Sequence, residues 1–146
     1  MGLFDKLGRK KAEAPLTPQE AVGVLLYLTI SADGEVSAEE RQAYVATIHR
    51  MNVFRGQTSS QFDLMIDKAS FLLNNLGFDT SLERIAATLS QELRETAFIW
   101  AAEMVFADGA VADEESGFLN AVHLAFGIDE DLALKVADIM QMKYRT

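Results

Sequence analysis

The stretch SADGEVSAEE, residues 31–40, lies between two apolar segments and recurs almost unchanged as FADGAVADEE, residues 106–115. Residues 30–46 align with residues 105–121 without a gap, and the alignment keeps Ala-Asp-Gly, the following Val and the Glu-Glu pair in place. Each copy therefore predicts a helix, an acidic turn and a second helix. The simplest architecture sets these two hairpins side by side about a pseudo-twofold axis, which would bring the two turns together.

The segments outside the turns also predict helices. Their apolar residues recur with a period of about 3.6, and no segment shows the alternation typical of a strand. We expect one all-α domain over residues 17–146, a compact bundle of about seven helices, preceded by a basic and amphipathic arm or linker over residues 1–16. Thr17 as cap, Pro18 at the first position and Glu20 at the third predict where the first helix begins. Apolar residues cover most of that helix, so we expect it to be central and buried.

The chain of 146 residues is acidic, with a net charge of −9, and it contains no Cys. This charge disfavours nucleic acid binding and favours cations and basic protein partners. No apolar run reaches the ~18 residues of a membrane span, and the N-terminus lacks the pattern of a signal peptide. We expect a cytoplasmic protein. The arm is either a peptide that docks on the inner membrane surface or on a membrane-associated protein partner, or a frayed terminus.

Local structure explains much of the first acidic turn but less of the second. Gly34 and Gly109 can adopt positive φ and end the preceding helix. Ser37 and Glu40 predict a capping box at the start of the following helix. In the second copy Ala112 stands at the position of Ser37 and has no capping oxygen, although Glu115 keeps the position of Glu40. Another role is therefore needed for the second glutamate.

Binding of a cation would account for the second glutamate. Asp33 and Asp108 follow the C-terminal ends of helices, where a negative charge costs about 0.3–1 kcal/mol unless something offsets it. The spacing D-G-x₅-E matches the second half of a calcium EF-hand loop, but Met104 and Phe106 stand at ligand positions and cannot supply oxygen. Each turn is therefore half a site. We predict one divalent-metal site, with calcium the preferred ion and zinc or magnesium the alternatives, built by Asp33, Glu40, Asp108 and Glu115 with carbonyls and waters.

Paired ADG-x-V-x-x-E-E turns in an all-helical domain resemble the tellurite-resistance TerB family, and the resemblance covers roughly residues 17–143. It implies a helical bundle, an acidic surface for divalent metal, and a non-enzymatic role in bacterial stress response and tellurite resistance beside membrane-associated partners. By this resemblance, the metal ligands would be the same four carboxylates, Asp33, Glu40, Asp108 and Glu115. It extends less firmly to three further acidic residues, Glu39, Asp113 and Glu114.

Other residues carry weaker signals. We interpret Trp100 as a core residue and Glu103 as facing solvent, and neither His49 nor His123 has the second His at helical spacing that a metal pair needs. The chain lacks a Gly-rich phosphate loop, a nucleophile elbow and an H-E-x-x-H motif, so we expect no enzyme. Two alternatives to the cation-binding interaction module stay open. One is a metal-free acidic adaptor for a basic or membrane-associated protein, and the other is a metal-assisted hydrolase.

Overall fold

The structure is a computed structural model that describes residues 2–3, 15–31, 36–107 and 113–145, without the side chains of residues 113–115. Six α-helices occupy the described ranges from residue 15 onward, and these ranges contain no strand. The helices are α1 (Pro18–Ile30), α2 (Ala38–Arg50), α3 (Ser59–Thr88), α4 (Gln91–Phe106), α5 (Asp113–Phe126) and α6 (Glu130–Tyr144), with a short 3₁₀ turn at Asn52–Phe54. The all-α prediction is confirmed.

The predicted count of about seven helices needs correction to six over this part of the chain. Two segments that the sequence separates at Gly77 form one long helix, α3, with a bend at that glycine. Gly77 has φ 77° and ψ 176°, a backbone conformation that only glycine adopts without strain. The chain changes direction there and continues at once as helix, so no loop separates the two segments.

Helix α1 lies at the centre of the bundle, as its apolar circumference predicts. It packs against α2, α3 and α4, and its residues 21–26 are all buried. Gly23 permits a close approach to α3, because a side chain there would meet Met65 Sδ at 2.5 Å. The Tyr44 hydroxyl donates a hydrogen bond of 2.8 Å to the Gly23 carbonyl oxygen and ties α2 to the same point. Helix α4 forms the second centre, packed against α1, α5 and α6.

The start of α1 is fixed by local and by tertiary contacts. The predicted capping box is confirmed, since the Thr17 side chain accepts from the Glu20 amide and Glu20 accepts from the Thr17 amide. The same Glu20 oxygen also accepts from Lys68 Nζ at 2.8 Å, and Lys68 is 4% exposed. Burial raises the pKa of Glu20, but the hydrogen bonds and charge of Lys68 and the Thr17 amide outweigh it and lower the pKa.

None of the described helices is both long enough and apolar enough to cross a lipid bilayer.

Two glycines give a matched test of the bend in α3. A methyl group meets nothing within 4 Å at Gly77 or at Gly117, so only backbone conformation separates the two sites. We expect Gly77→Ala to lower the free energy of unfolding by about 1–3 kcal/mol, because positive φ with ψ near 180° is a conformation that essentially only glycine adopts. Gly117→Ala lies within α5 and should raise it by up to about 1 kcal/mol through helix propensity. Urea unfolding measures both, and changes of the same sign would contradict the bend.

The ion pair between Glu20 and Lys68 predicts an acid-sensitive contribution to stability. The folded-state pKa of Glu20 is lowered, so its contribution is present above the unfolded value of about 4.5 and is lost as the pH falls through the folded value. We expect Glu20→Gln to cost about 2 kcal/mol at pH 7, since a buried Lys68 then lacks its charged partner. That cost should shrink toward pH 3 in urea unfolding. A cost that is independent of pH, or equal to that of the exposed Glu83→Gln, would contradict this role.

Candidate functional site

Helices flank both acidic turns at matching positions of the sequence repeat. Helix α1 ends at Ile30 and α2 begins at Ala38, whereas α4 ends at Phe106 and α5 begins at Asp113. Ala38 and Asp113 are equivalent in the repeat, so the second helix of each hairpin starts at the same point. The helices that precede the turns, α1 and α4, pack against each other, and each packs against the helix that follows its own turn. The pseudo-twofold relation between the halves stays a prediction.

The four predicted ligands are described unequally. Asp33 and Asp108 lie outside the described residues, as do Gly34 and Gly109, and Glu115 is described only as backbone in the first turn of α5. Its neighbours Asp113 and Glu114 are described in the same way. Over the ranges with described side chains, no three carboxylate or imidazole groups are arranged to hold a metal ion. Convergence of the four carboxylates therefore stays a prediction.

Glu40 is the one predicted ligand with a described side chain. It is half-buried in the first turn of α2, next to the exposed Glu39. Ser37 Oγ accepts from the Glu40 amide at 3.1 Å, and Glu40 Oε1 accepts from the Ser37 amide at 3.2 Å, which confirms the predicted capping box. A carboxylate has two oxygens with about four acceptor sites. The capping role of Oε1 therefore leaves acceptor capacity for a cation.

The ends of α1 and α4 are electrostatically suited to a cation. The last carbonyl groups of a helix lack partners within it and carry partial negative charge. Basic residues lie in the last turn of α2, α5 and α6, whereas α1, α3 and α4 have none in their fully described last turns. Of these three helices, α1 and α4 are followed in the sequence by an aspartate within three residues, and α3 is not. The last turn of α4 also holds Glu103, which pairs with Lys143 of α6. A cation would interact favourably with both the carbonyl groups and the aspartate.

Glu103 does not face solvent, so that interpretation was wrong. It accepts hydrogen bonds from the Tyr144 hydroxyl at 2.8 Å and from Lys143 Nζ, and these contacts hold the end of α6 against α4. Burial raises the pKa of Glu103, but these bonds and the charges of Lys143 and Arg50 outweigh it and lower the pKa. The partners lie some 40 residues away in the sequence, and no local pattern indicates them.

The other candidate side chains have structural neighbours. His49 packs edge-on against Phe62, with ring centroids 4.9 Å apart. His123 lies on α5 beside a groove that α5 forms with α4 and α6. Trp100 is half-buried and packs against the core, as the sequence suggests. None of the three belongs to a group of metal-binding side chains within the part of the chain that is described.

Most of the chain matches the model of one protein family. The model of the family described as Tellurite resistance protein TerB matches residues 19–136, which is most of the chain and includes both acidic turns. The chain belongs to the TerB family. The resemblance seen in the sequence is thus confirmed, and the TerB family is not in general one of catalytic enzymes. No curated protein and no solved structure matches the chain.

The matched TerB region leaves out the whole N-terminal arm and the last ten residues. The second acidic turn and the whole of α5 lie within it, although α6 extends beyond its end. The division at residue 16 between arm and domain stays a prediction.

The repeat predicts that a capping box can be restored at the start of α5. Ala112 immediately precedes α5, as Ser37 precedes α2, and Glu115 occupies the position of Glu40. We expect Ala112→Ser to raise the free energy of unfolding in EDTA by about 1 kcal/mol, because it supplies the missing capping oxygen. Urea unfolding measures the change, and Ala112→Val serves as the control. An equal effect of Ser and Val would show that the two helix starts are not equivalent.

Proposed function

We propose that the chain is a non-enzymatic interaction module that binds divalent cations at its two acidic turns. The bound ion would order the turns and the helix starts beside them, and so present a defined surface to protein partners. The proposal rests on a feature that the ends of α1 and α4 share. Neither helix has a basic residue of its own in its last turn, and both lead into an Asp-Gly pair with a glutamate six residues after the glycine.

Ligand chemistry supports a hard cation such as calcium. The turns offer carboxylates and backbone carbonyls, which are the oxygen ligands that calcium and magnesium prefer. The chain has no Cys, so a thiolate zinc site is excluded. Zinc bound by carboxylates stays an alternative.

Family membership suggests a part in tellurite resistance, and the charge limits how the chain could contribute. Tellurite is an oxyanion, and a chain with a net charge of −9 repels anions. We therefore propose that the chain acts through a cation and a protein partner, not by binding tellurite itself.

Thermal melting tests the proposal. Calcium, magnesium, zinc and manganese are each added at millimolar concentration and compared with EDTA. An ion at about 100 times its dissociation constant stabilises the fold by about 2.7 kcal/mol. For a domain of this size we expect a rise in Tm of roughly 5–10 °C. The absence of a shift with all four ions would overturn the proposal.

Two variants of the first turn separate ion binding from helix capping. Glu40→Gln keeps a side chain that can cap at the third helical position but removes the negative charge. We expect it to melt near the parent temperature in EDTA and to lose most of the ion-induced shift at that turn. Ser37→Ala should cost about 1 kcal/mol in EDTA and retain the shift. Equal ion-induced shifts in the two variants would remove Glu40 from the site.

The metal-free adaptor gives a different pattern in the same experiment. If the acidic face docks a basic partner without an ion, the melts with and without EDTA coincide. The double variant Asp108→Asn with Glu115→Gln should then stabilise the fold, because it relieves repulsion between neighbouring carboxylates. Under the cation proposal the same variant lowers Tm in the presence of the ion.

A further inference from the structure

A groove of about 350 Å³ lies between α4, α5 and α6. Its walls are mostly apolar, with Phe98 and Phe106 from α4, Leu119 from α5 and Leu134 from α6. Few polar side chains line it, among them His123 and Glu130. An apolar groove with few polar groups at fixed positions suits apolar side chains better than a polar small molecule.

One wall of the groove is partly exposed to solvent on α6. Leu134 lines the groove and is 58% exposed. We call the groove, with Leu134 at its edge, the α6 face, and an exposed apolar surface of this kind is typical of interaction sites.

The charge around the α6 face is acidic. Residues 116–145, whose side chains are described, carry four acidic and three basic residues, and the sequence adds three acidic residues at the start of α5. One of these basic residues, Lys143, already forms an ion pair with Glu103. Glu130 lines the groove, and Asp129 and Asp131 lie beside it at the start of α6. A partner with basic residues beside an apolar stripe complements this surface.

We propose that the α6 face docks an amphipathic helix of a partner protein, with apolar residues at i, i+3, i+4 and i+7 and basic residues on its flanks. This is the helix-in-groove mode, in which a few apolar anchors enter the groove. The acidic surroundings disfavour an anionic membrane, since the like charges repel. They also disfavour a second copy of the chain, because a twofold contact would set one acidic rim against another.

The chain's own arm is a less suitable occupant. It is basic and contains Leu3, Phe4 and Leu7. Leu3, however, is 70% exposed in the structure and does not line the groove. If the arm occupied the groove, it would compete with a bound peptide, and this competition would lower the affinity for the peptide.

The test uses the full chain and a synthetic helical peptide of about 18 residues, built from Leu, Ala and Lys with leucines at the stated spacing. Binding is measured by fluorescence anisotropy in EDTA, so that the result does not depend on the cation sites. We expect Leu134→Asp to weaken binding about 10-fold, because an apolar contact is lost. The matched control is Leu124→Asp, at a leucine that is 69% exposed on α5 and does not line the groove. It should change binding less than about twofold.

The design separates apolar docking from charge attraction, since both variants add the same negative charge. Equal effects at the two leucines, or equal binding of a scrambled peptide with the same composition, would overturn the proposal. A dimer in sedimentation that Leu134→Asp dissociates would assign the face to a second copy. Binding to vesicles of phosphatidylcholine and phosphatidylglycerol that Leu134→Asp abolishes would assign it to a membrane. Tighter peptide binding by Leu3→Asp would assign it to the arm.

Discussion

The burial of α1 against α2, α3 and α4 is the constraint on which the other features depend. A helix with buried residues around most of its circumference has no solvent-facing side, so its neighbours must enclose it. Gly23 allows α3 to come close, and the Tyr44 hydroxyl of α2 donates a hydrogen bond to the Gly23 carbonyl. The first acidic turn follows the end of this helix in the sequence. The described residues on its far side are held by the Ser37–Glu40 capping box.

Local patterns predict the helical part of the fold well. Periodicity and capping residues locate the starts of α1 and α2, because capping boxes form between residues only three apart. The bend of α3 is less predictable, since Gly77 reads equally well as the end of one helix. The ion pairs of Lys68 with Glu20 and of Lys143 with Glu103 are not predictable from such patterns. They join residues about 40 to 50 positions apart, and only the packed structure brings them together.

The candidate site, too, is predictable from the sequence only in part. The repeat draws attention to the carboxylates of the turns, because the second copy keeps its glutamate without a capping partner. It does not determine whether the turns meet, since this depends on the crossing of α1 and α4.

The two proposed surfaces share α5. Its first turn carries the glutamates of the second acidic turn, and the following residues, from Ser116 onward, line the groove. An ion that orders the start of α5 would also order one wall of the groove. Cation binding and partner binding would then be coupled through a single helix, and each ligand would strengthen the binding of the other.

The most direct test of the cation sites is a calcium titration followed by backbone NMR of the amides of Gly34 and Gly109. We expect both resonances to move and saturate, while the amide of Gly56, in the loop before α3, stays in place. Two different apparent dissociation constants would identify separate ions, and a single shared constant with one ion per chain would identify a joint site. If neither glycine amide moves at millimolar calcium, magnesium, zinc or manganese, the acidic turns do not bind divalent cations and the central claim is wrong.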